Sequence, residues 1–365
     1  MYSEIDHSHM RRAIELAKQG WFTTHPNPRV GCVIAQGERV VGEGWHRIAG
    51  GAHAEVLALR SAGAAAKGAT AYVTLEPHCF HGKTPPCTCA LIAAGIANVI
   101  CGTLDPNPKV SGAGIQELRE AGVKASVGLL EREARALNLG FEKRMQFGTP
   151  RVTLKVAASL DGRVALASGE SQWITGEAAR ADVQRMRAAS SAVMTGVDSV
   201  IADDSRLNVR DETIDLAGRE PMRVILDTSL RMSTSARMFD TSGKILIFTT
   251  SAATDRIEAL ASAGGEVVSV PAGADGRVDI ASVLLELGRR ECNEVLVEAG
   301  PTLASRILAS ALCDELIVYF APKILGADAK AMFQLDPLGR LEDALQFRIQ
   351  SAAVIGTDLK VTLAR

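Results

Sequence analysis

The chain has 365 residues, a formal net charge of −2 and a hydrophobic fraction of 47%. This length exceeds one typical core, so two domains are expected, and the composition supplies enough apolar residues for both. The near-neutral charge and an aromatic fraction of only 4% argue against a nucleic-acid binder, which normally carries a basic surface and stacking rings.

The amino terminus carries no apolar signal run, and no segment reaches membrane-spanning length. Seven cysteines are present, and three of them fall between residues 79 and 89. Such clustering is typical of a metal site in a reducing compartment rather than of a disulfide framework. We therefore expect a cytoplasmic protein with no membrane attachment. The outlying cysteines are predicted to fill the core: Cys32, Cys101, Cys292 and Cys313.

The amino-terminal half alternates the apolar patterns of helices and strands, beginning with a helical period over residues 6–20. This alternation predicts a sheet covered by helices. The punctuation Gly148-Thr149-Pro150 predicts a boundary between a domain of residues 1–148 and one of residues 149–365. The other predicted elements are strands at 30–35, 39–45, 71–75, 99–104 and 124–127, and helices at 56–63, from 86, at 115–121 and at 130–141.

A stiff turn precedes the first predicted strand. The prolines of the segment Thr24-His25-Pro26-Asn27-Pro28 restrict its backbone dihedral angles and so orient one side-chain amide, that of Asn27. A simple turn is the more economical interpretation, and an Asn27 amide that hydrogen-bonds a substrate is the functional one. The residues alone favour the turn and leave the functional interpretation open.

The motif with the clearest chemistry comprises His53, Glu55 and a Cys/His pair from a second element that ends in Cys87. A catalytic zinc site uses three protein ligands and keeps its fourth position for water, whose pKa the metal lowers toward neutrality. A nearby carboxylate that is not a ligand can then move protons, as in zinc deaminases. Because residues two apart on a helix point about 200° apart, His53 is predicted at or before the first helical turn, with Glu55 just inside it.

The second metal ligand is either His78 or Cys79. Adjacent side chains of an extended segment point to opposite sides, so only one of the two can bind. The anchor at Pro77 favours His78, whereas the chemistry of zinc favours Cys79. A His/Cys/Cys set neutralises Zn²⁺, while a His/His/Cys set leaves a net charge of about +1 and makes the bound water more acidic. We favour His78.

The third ligand candidate, Cys87, follows a proline pair. Proline is tolerated in the first turn of a helix, so a helix is predicted to begin at Pro86. The positive end of its dipole would favour thiolate at Cys87. Cys89 would point away on that helix, and we predict that it packs rather than binds metal.

The carboxy-terminal half contains two polar segments between its predicted strands. The segment 168–175 is either a surface loop with one packing ring, Trp173, or a lid. The segment 201–210 is dense in acids and arginines and is predicted to lie outside any regular element. It is either a solvated face or a sugar-phosphate site, because the guanidinium group of arginine can donate two hydrogen bonds to one phosphate. The predicted elements are strands at 151–158, 192–196, 223–226, 244–248, 266–270 and 294–298, and helices at 178–189, 280–287 and from 301.

A second candidate binding feature follows the strand Glu294 to Glu298. Here Gly300 and Pro301 open a helix, and a strand, a glycine and a helix beginning with proline form a geometry that binds phosphate through backbone N–H groups. The chain has no G-x-G-x-x-G run. A dinucleotide must therefore bind through a fold other than the Rossmann type.

Both halves resemble one known family. The stretch Thr74-Leu75-Glu76-Pro77-His78-Cys79-Phe80-His81-Gly82-Lys83-Thr84-Pro85-Pro86-Cys87 resembles the deaminase half of the bifunctional riboflavin-biosynthesis deaminase/reductases. Segments 154–162, 168–175, 202–210 and 297–302 resemble the reductase half, in family order. The resemblance implies two α/β domains: a cytidine-deaminase-like three-layer αβα domain, then a dihydrofolate-reductase-like α/β domain.

The resemblance also implies two consecutive reactions on a small-molecule pyrimidine ribosyl phosphate. Zinc hydroxide would hydrolytically deaminate 2,5-diamino-6-(5-phosphoribosylamino)pyrimidin-4-one. NADPH would then reduce the ribosyl group, in its open carbonyl form, to ribityl. The implied cofactors are Zn²⁺ and NADPH, no nucleic-acid or membrane partner is expected, and a homo-oligomer is the expected assembly.

Carried over residue by residue, the resemblance assigns roles to individual side chains. Apart from the resemblance, hydride transfer to a carbonyl needs a proton donor or an electrostatic partner for the developing alkoxide, and Asp203 and Lys155 are candidates that the sequence does not rank. The metal ligands would be His53, His78 and Cys87, with Glu55 as the proton shuttle. The coenzyme positions are Ala157, Trp173, Ser199, Asp203, Gly300, Pro301 and Thr302. The substrate positions are Asn27 and Lys83 for deamination, and Ser171, Arg187, Leu207, Arg210 and Glu298 for reduction.

Two departures from the family pattern support an alternative. His78 stands where the family has cysteine, and Cys89 stands where it commonly has aspartate. The alternative is a reductase whose deaminase half is impaired or mainly structural. A nucleic-acid base deaminase fits the metal motif but neither the charge nor the second half. A pure binding module would leave Glu55 without a role.

Overall fold

The chain divides into two compact units, residues 1–148 and 149–365. The structure is a computed structural model that describes residues 2–80 and 85–365, so the candidate Lys83 lies outside the described residues. At the division, Gly148 ends a helix with a left-handed backbone (φ 71°), which glycine adopts without steric cost. Among the described residues, no helix combines the length and apolar character needed to cross a bilayer.

The amino-terminal unit is built on a five-stranded sheet with the order β2-β1-β3-β4-β5. Strand β1 runs antiparallel to both neighbours, and β3, β4 and β5 are parallel. The elements, in chain order, are α1 (Glu4–Lys18), β1 (Gly31–Gln36), β2 (Arg39–Trp45), α2 (Ala54–Ala62), β3 (Thr70–Leu75), α3 (Cys87–Ala93), β4 (Asn98–Thr103), α4 (Ala113–Glu120), β5 (Lys124–Val127), α5 (Glu131–Ala136) and α6 (Leu139–Phe147).

Both faces of this sheet are covered, because successive side chains of a strand point to opposite sides. Along β1, Cys32 and Ile34 pack into the cluster formed with α2, α3 and α4. Their neighbours Val33 and Ala35 pack into a second cluster with α1. The result is a three-layer αβα unit, as the alternating pattern predicts.

The predicted helix over residues 130–141 is instead two helices, α5 and α6, and the prediction was wrong. Asn138 lies between them with a non-helical backbone (φ −135°, ψ 29°). Its buried amide accepts a hydrogen bond from the Arg29 N–H at 2.7 Å and donates one to the Arg29 carbonyl at 2.9 Å. This tie to a residue far along the chain holds Asn138 outside helical geometry.

The carboxy-terminal unit is built on a nine-stranded sheet with the order β11-β10-β9-β8-β12-β6-β13-β16-β15. Strands β11 to β13 of this order are parallel, and β16 and β15 add an antiparallel edge. A separate two-stranded sheet pairs β14 with β7. The strands of the unit are β6 (Arg151–Ser159), β7 (Arg163–Ala165), β8 (Ala192–Gly196), β9 (Met222–Leu226), β10 (Ile245–Thr249), β11 (Gly265–Ser269), β12 (Glu294–Glu298), β13 (Glu315–Ala321), β14 (Lys330–Ala331), β15 (Arg348–Ile355) and β16 (Asp358–Ala364). The helices are α7 (Glu177–Ala189), α8 (Val197–Asp203), α9 (Thr254–Ser262), α10 (Ile280–Arg289) and α11 (Pro301–Ala309).

Strand β6 contributes to both the core and a cavity. Leu154 and Val156 are buried in the main hydrophobic cluster of the unit. Lys155 and Ala157, which alternate with them along the strand, line a cavity that Val156 also borders. The carboxyl ends of the parallel strands meet at one edge of the sheet, which is where open α/β sheets bind ligands.

The polar segment 201–210 was predicted to lie outside regular structure, and its first residues instead belong to α8. This helix begins after Gly196 and buries Val197 and Val200 against a satellite core cluster. The apolar spacing of three residues is therefore the signal that the sequence analysis missed. The four outlying cysteines are all buried, which confirms their predicted core role.

Candidate active sites

Three side chains of the amino-terminal unit bring metal-binding atoms together. The donor atoms of His53, His78 and Cys87 all lie within 4.8 Å of one another. The Nδ1 atoms of His53 and His78 each lie 3.2 Å from the Cys87 Sγ. Tetrahedral zinc, with Zn–N of about 2.0 Å and Zn–S of about 2.3 Å, requires an N···S separation of about 3.5 Å. The residues present therefore fit a zinc ion.

Local structure explains why these side chains converge. His53 is the residue immediately before α2 and has an extended backbone, which confirms its predicted position. Pro86 precedes α3, so Cys87 is the first helical residue. The backbone N–H groups of Cys87 and Thr88 both reach the His78 carbonyl, at 3.0 and 3.4 Å. This contact ties the start of α3 to the segment that follows β3.

Burial governs the charges of this centre. It raises the pKa of the Cys87 thiol far above the ordinary value, and the Glu55 carboxylate raises it further. A backbone hydrogen bond of His78 lowers the pKa of this thiol in part. That the dipole of α3 favours thiolate at Cys87 stays a prediction. Burial also lowers the pKa of His53 to about 4. A neutral imidazole has a lone pair free to bind a metal ion, and a buried thiolate needs a nearby positive charge. Both groups are therefore suited to a metal ion.

Glu55 is buried inside the first turn of α2 and hydrogen-bonds to the Cys87 thiol. It is not part of the donor group that comprises His53, His78 and Cys87. Burial raises the pKa of its carboxyl group above the ordinary value. A carboxyl group beside the metal donors but outside their set is placed to exchange protons with a ligand in the fourth position.

The other two thiols of the motif lie outside the donor group. Cys79 is half-buried and His78, not Cys79, belongs to the group. Cys89 is outside the donor group, as predicted, but it is exposed, with its thiol 3.8 Å from a Glu117 oxygen, and so does not pack as predicted.

Asn27 is oriented by a residue that sequence reasoning missed. Its Nδ2 lies 3.1 Å from Nε2 of the buried His46, and His46 Nδ1 lies 3.2 Å from the Ala52 carbonyl. Burial lowers the pKa of His46, which keeps its ring neutral. With Nδ1–H donating to Ala52, Nε2 accepts from Asn27 and the Asn27 carbonyl oxygen faces away from His46. The ring of His46 also packs edge-on against His53, 5.3 Å between centroids.

Glu76 is a second functional candidate that the sequence analysis did not single out. Its buried carboxylate accepts four backbone hydrogen bonds, from Asp105 and Gly112 at 3.1 and 2.9 Å and from Gly114 and Ile115 at 3.0 and 3.1 Å. Gly114 lies so close to the Pro77 carbonyl that a Cβ there would stand 2.2 Å from its oxygen. Glu76 therefore fixes the segment that carries His78 against the start of α4.

In the carboxy-terminal unit, a cavity of about 950 Å³ lies at the carboxyl edge of the parallel strands. It brings together thirteen residues that the resemblance assigned to the reductase half. They are Lys155, Ala157, Ser171, Trp173, Arg187, Ser199, Asp203, Leu207, Arg210, Glu298, Gly300, Pro301 and Thr302.

A buried ionic cluster lies in this cavity. The Arg187 guanidinium contacts both Glu298 oxygens, at 2.5 and 3.1 Å, and Lys155 Nζ lies 3.8 Å from the same carboxylate. Burial raises the pKa of Glu298, but Arg187 and Lys155 outweigh it and leave the pKa below the ordinary value. Burial lowers the pKa of Lys155 more than Glu298 raises it. An ammonium group with a lowered pKa releases its proton more readily, which suits Lys155 to proton donation.

The cavity also fits a dinucleotide. The Thr195 hydroxyl at the end of β8 is fully buried, lines the cavity and has no hydrogen-bond partner among the described residues. Such a hydroxyl needs a partner from a bound ligand. The N-terminus of α11, which follows Gly300, lines the same cavity and offers backbone N–H groups to phosphate.

The remaining coenzyme candidates lie at the cavity surface. Trp173 is 61% exposed, with the Arg180 guanidinium 4.8 Å from its ring centroid. Asp203 is exposed, and its carboxylate lies 3.5 Å from the Gln172 amide. Of the two proton-donor candidates, Lys155 is thus in the buried cluster and Asp203 is at the rim.

The two sites define an enzyme that combines a zinc-binding deaminase unit with an NADPH-dependent reductase unit. The family profile described as the cytidine and deoxycytidylate deaminase zinc-binding region matches residues 3–103. The profile described as the RibD C-terminal domain matches residues 150–361. These matches agree with the predicted cytidine-deaminase-like and dihydrofolate-reductase-like fold classes.

Relatives that match the whole chain specify the family. Riboflavin biosynthesis protein RibD of Escherichia coli K12 is 47% identical over 363 residues, which cover 97% of this chain and 98% of that protein. The solved structure of Acinetobacter baumannii RibD, form 1, superposes with a TM-score of 0.92 at 44% identity, covering 99% of both chains. A Thermotoga maritima deaminase/reductase structure superposes with a TM-score of 0.86 at 34% identity, again covering 99% of both. The chain belongs to the bifunctional deaminase/reductase family of riboflavin biosynthesis.

Proposed function

We propose that residues 1–148 deaminate 2,5-diamino-6-(5-phosphoribosylamino)pyrimidin-4-one and that residues 149–365 then reduce its ribosyl group to ribityl with NADPH. The convergence of His53, His78 and Cys87 beside the buried Glu55 carries the first assignment. The cavity that holds the Lys155, Arg187 and Glu298 cluster supports the second.

In the deaminase site, His53, His78 and Cys87 would hold zinc, which would supply the Lewis acidity that activates water at neutral pH. The carboxylate of Glu55 would accept a proton from the attacking water and deliver it to the departing amino nitrogen, so that ammonia leaves and a carbonyl oxygen replaces it. Asn27, held by His46, binds the pyrimidine ring through its free carbonyl oxygen.

In the reductase site, the substrate carbonyl would lie beside the buried ionic cluster. NADPH would supply the hydride for the carbonyl carbon. Lys155 donates a proton to the carbonyl oxygen, which becomes the hydroxyl of the ribityl chain. Its burial and the contact with Glu298 favour Lys155 over the exposed Asp203 as the donor.

The other assignments of this proposal follow the lining of the cavity. The coenzyme is held by Ala157, Trp173, Ser199, Asp203, Gly300, Pro301 and Thr302. The substrate is held by Ser171, Arg187, Leu207, Arg210 and Glu298. The role of Lys83 in the deaminase site, the homo-oligomeric state and the cytoplasmic location stay predictions.

Two variants test the assignment of each reaction to one of the two units. We expect Glu55→Gln to abolish ammonia release from the diaminopyrimidinone, because the amide cannot accept the proton. The same variant should retain NADPH oxidation on the deaminated compound. Lys155→Met should show the reverse pattern. The two variants serve as each other's folding controls, and a wild-type protein that releases no ammonia would contradict the first assignment.

His78 supports one alternative, a reductase with an impaired deaminase half. Its imidazole takes the place of a cysteine thiolate, which changes the net charge of the centre by one unit. A His78→Cys variant distinguishes the two. A large gain in ammonia release from a near-zero wild-type rate would support the alternative, whereas equal rates would rule it out.

A further inference from the structure

Helix α7 forms one wall of a small recess in the reductase site. The recess has a volume of about 100 Å³, and Lys155 and Glu298 of the sheet line it together with Arg187 of this helix. Two apolar residues of α7, Ala179 and Val183, pack against β13 in a buried cluster and also line the recess. The position of α7 over the sheet therefore determines the shape of the recess.

One carboxylate of α7 makes two polar contacts with the sheet. An Asp182 oxygen accepts hydrogen bonds from the Tyr319 hydroxyl at 2.5 Å and from the Lys360 ammonium at 2.6 Å. Tyr319 is fully buried on β13, and Lys360 is its register partner on β16, so both side chains lie on the same face of the sheet. Burial and the Asp182 carboxylate raise the pKa of Tyr319, which keeps its hydroxyl protonated and able to donate. Asp182 thus joins α7 to two adjacent strands.

Two further side chains of α7 hold proposed substrate residues. The Arg187 guanidinium contacts both oxygens of Glu298, at 2.5 and 3.1 Å. The Gln184 side-chain oxygen accepts a hydrogen bond from the backbone N–H of Arg210 at 2.8 Å. The placement of Arg187, Arg210 and Glu298 therefore depends on where α7 lies.

The proposed coenzyme residues depend on α7 to a smaller extent. None of them belongs to this helix, and Ser199 and Thr302 lie on α8 and α11 instead. Trp173 reaches α7 through the Arg180 guanidinium, which lies 4.8 Å from its ring centroid. A displacement of α7 should therefore affect substrate binding more than coenzyme binding.

We propose that Asp182 is a positioning residue for the reduction and acts through α7. Its contacts with Tyr319 and Lys360 hold the helix at the distance from the sheet at which the substrate residues are correctly placed. A misplacement of about 1 Å at a reacting group can cost roughly 100-fold in rate, so a contact outside the site can control the reaction. This inference rests on the proposed reductase function.

Steady-state kinetics of the full-length protein on the deaminated compound test this inference. We expect Asp182→Ala to raise the KM for this substrate roughly tenfold and to change the NADPH dissociation constant less than about threefold. Asp182→Asn keeps one acceptor oxygen and should recover part of the loss. Lys360→Met removes one of the two contacts and should raise the KM by a smaller factor, which gives a milder variant if Asp182→Ala does not fold.

The matched control is Asp314→Ala. Asp314 is a half-buried carboxylate that accepts a hydrogen bond from the Val152 N–H at 2.7 Å, at the amino end of β6 and far along the strand from the recess. This variant loses the same charge and should keep the wild-type KM. A KM for Asp182→Ala equal to that of Asp314→Ala would overturn the inference, as would an NADPH dissociation constant that changes more than the substrate KM.

A double variant separates positioning from direct contact by Tyr319, which also lines the recess. If its hydroxyl acts through Asp182, Tyr319→Phe should raise the KM in the wild-type background but not in the Asp182→Ala background. An equal effect in both backgrounds would overturn the inference.

Unfolding measurements distinguish positioning from a merely structural role. A structural role would lower the free energy of unfolding of Asp182→Ala and leave the KM and kcat of the folded protein as in the wild type, which would also overturn the inference. Ammonia release should stay unchanged in every variant. A wild-type protein that does not oxidise NADPH on the deaminated compound would overturn the proposed reductase function itself.

Discussion

At the scale of single residues, burial is what makes the ion pair between Arg187 and Glu298 important. Both side chains are about nine-tenths buried, and the guanidinium contacts both carboxylate oxygens. Removal of one partner leaves an uncompensated buried charge, which typically costs about 3–5 kcal/mol. The pair therefore supports the unit as well as the substrate site.

The stability of this pair should depend on pH. The pKa of Glu298 is lower in the folded protein than its ordinary value, so its contribution is fully present above the unfolded-state pKa of about 4.3. That contribution is lost as the pH falls through the lower, folded-state pKa. We expect Glu298→Gln to lower the free energy of unfolding by about 3 kcal/mol at pH 7, and the difference from wild type to shrink below pH 4.

Denaturant unfolding of the two proteins between pH 3 and 7 measures this difference. Glu342→Gln is the matched control, because Glu342 forms an exposed ion pair with Arg340 that contributes little. A constant difference between wild type and Glu298→Gln across this range would contradict the account.

At the scale of elements, the end of β3 is held by one carboxylate. Glu76 joins this strand to the Asp105–Gly112 segment and to the start of α4 through four backbone N–H groups. Because His78 follows two residues later, the same anchor fixes the segment that carries this candidate metal donor. We therefore expect Glu76 to act as a positioning residue.

Glu76→Gln should loosen the metal centre. The change turns one acceptor oxygen into a donor NH₂ group that faces two backbone N–H groups. We expect weaker zinc retention against a chelator and slower ammonia release, with unchanged NADPH oxidation on the deaminated compound. Glu120→Gln, an exposed change on α4, is the control. Zinc retention equal in both variants would show that Glu76 does not position His78.

Local sequence predicted the elements in which the spacing of apolar residues and the turn-forming residues at the ends indicate the same bounds. Strands β2, β5, β8 and β12 have the predicted bounds, and His53 lies at the predicted helix start. The break at Asn138 was not predictable, because it depends on a pairing with Arg29 more than 100 residues earlier. The strands β13, β15 and β16 were also missed. The apolar run of β13 is a local strand signal that was overlooked, whereas the side chains of β15 are largely exposed and give no such signal.

The sites were predictable to the extent that they lie in motifs. His53, Glu55 and Cys87 are recognisable by residue type and spacing, and the sequence left His78 and Cys79 open because only the backbone decides which side chain faces the donors. His46, Glu76 and Thr195 carry no local signal. Each becomes a candidate only through its place in the fold.

At the scale of the whole molecule, one chain carries two chemistries with different requirements. The only group of three or more possible metal donors found among the described residues belongs to the amino-terminal unit. The carboxy-terminal unit, which is described throughout, has instead a cationic cavity. The two activities should therefore respond differently to removal of metal.

Chelation separates the two activities. Dialysis against a strong chelator should abolish ammonia release and leave NADPH oxidation on the deaminated compound within about twofold of the untreated rate, since no reductase residue needs the metal. Addition of Zn²⁺ should restore deamination. Simultaneous loss of both activities, with both recovered by zinc, would contradict this independence.

The most direct test of the account is the zinc content of the wild-type protein beside His78→Ala and Cys79→Ala, with both turnover rates measured on each. The donor geometry predicts about one zinc per chain in the wild type and in Cys79→Ala, with deamination retained in both. His78→Ala should lose zinc and ammonia release but keep NADPH oxidation. Loss of zinc only in Cys79→Ala would contradict the His/His/Cys centre, and absence of zinc from the wild type would contradict the proposed deaminase.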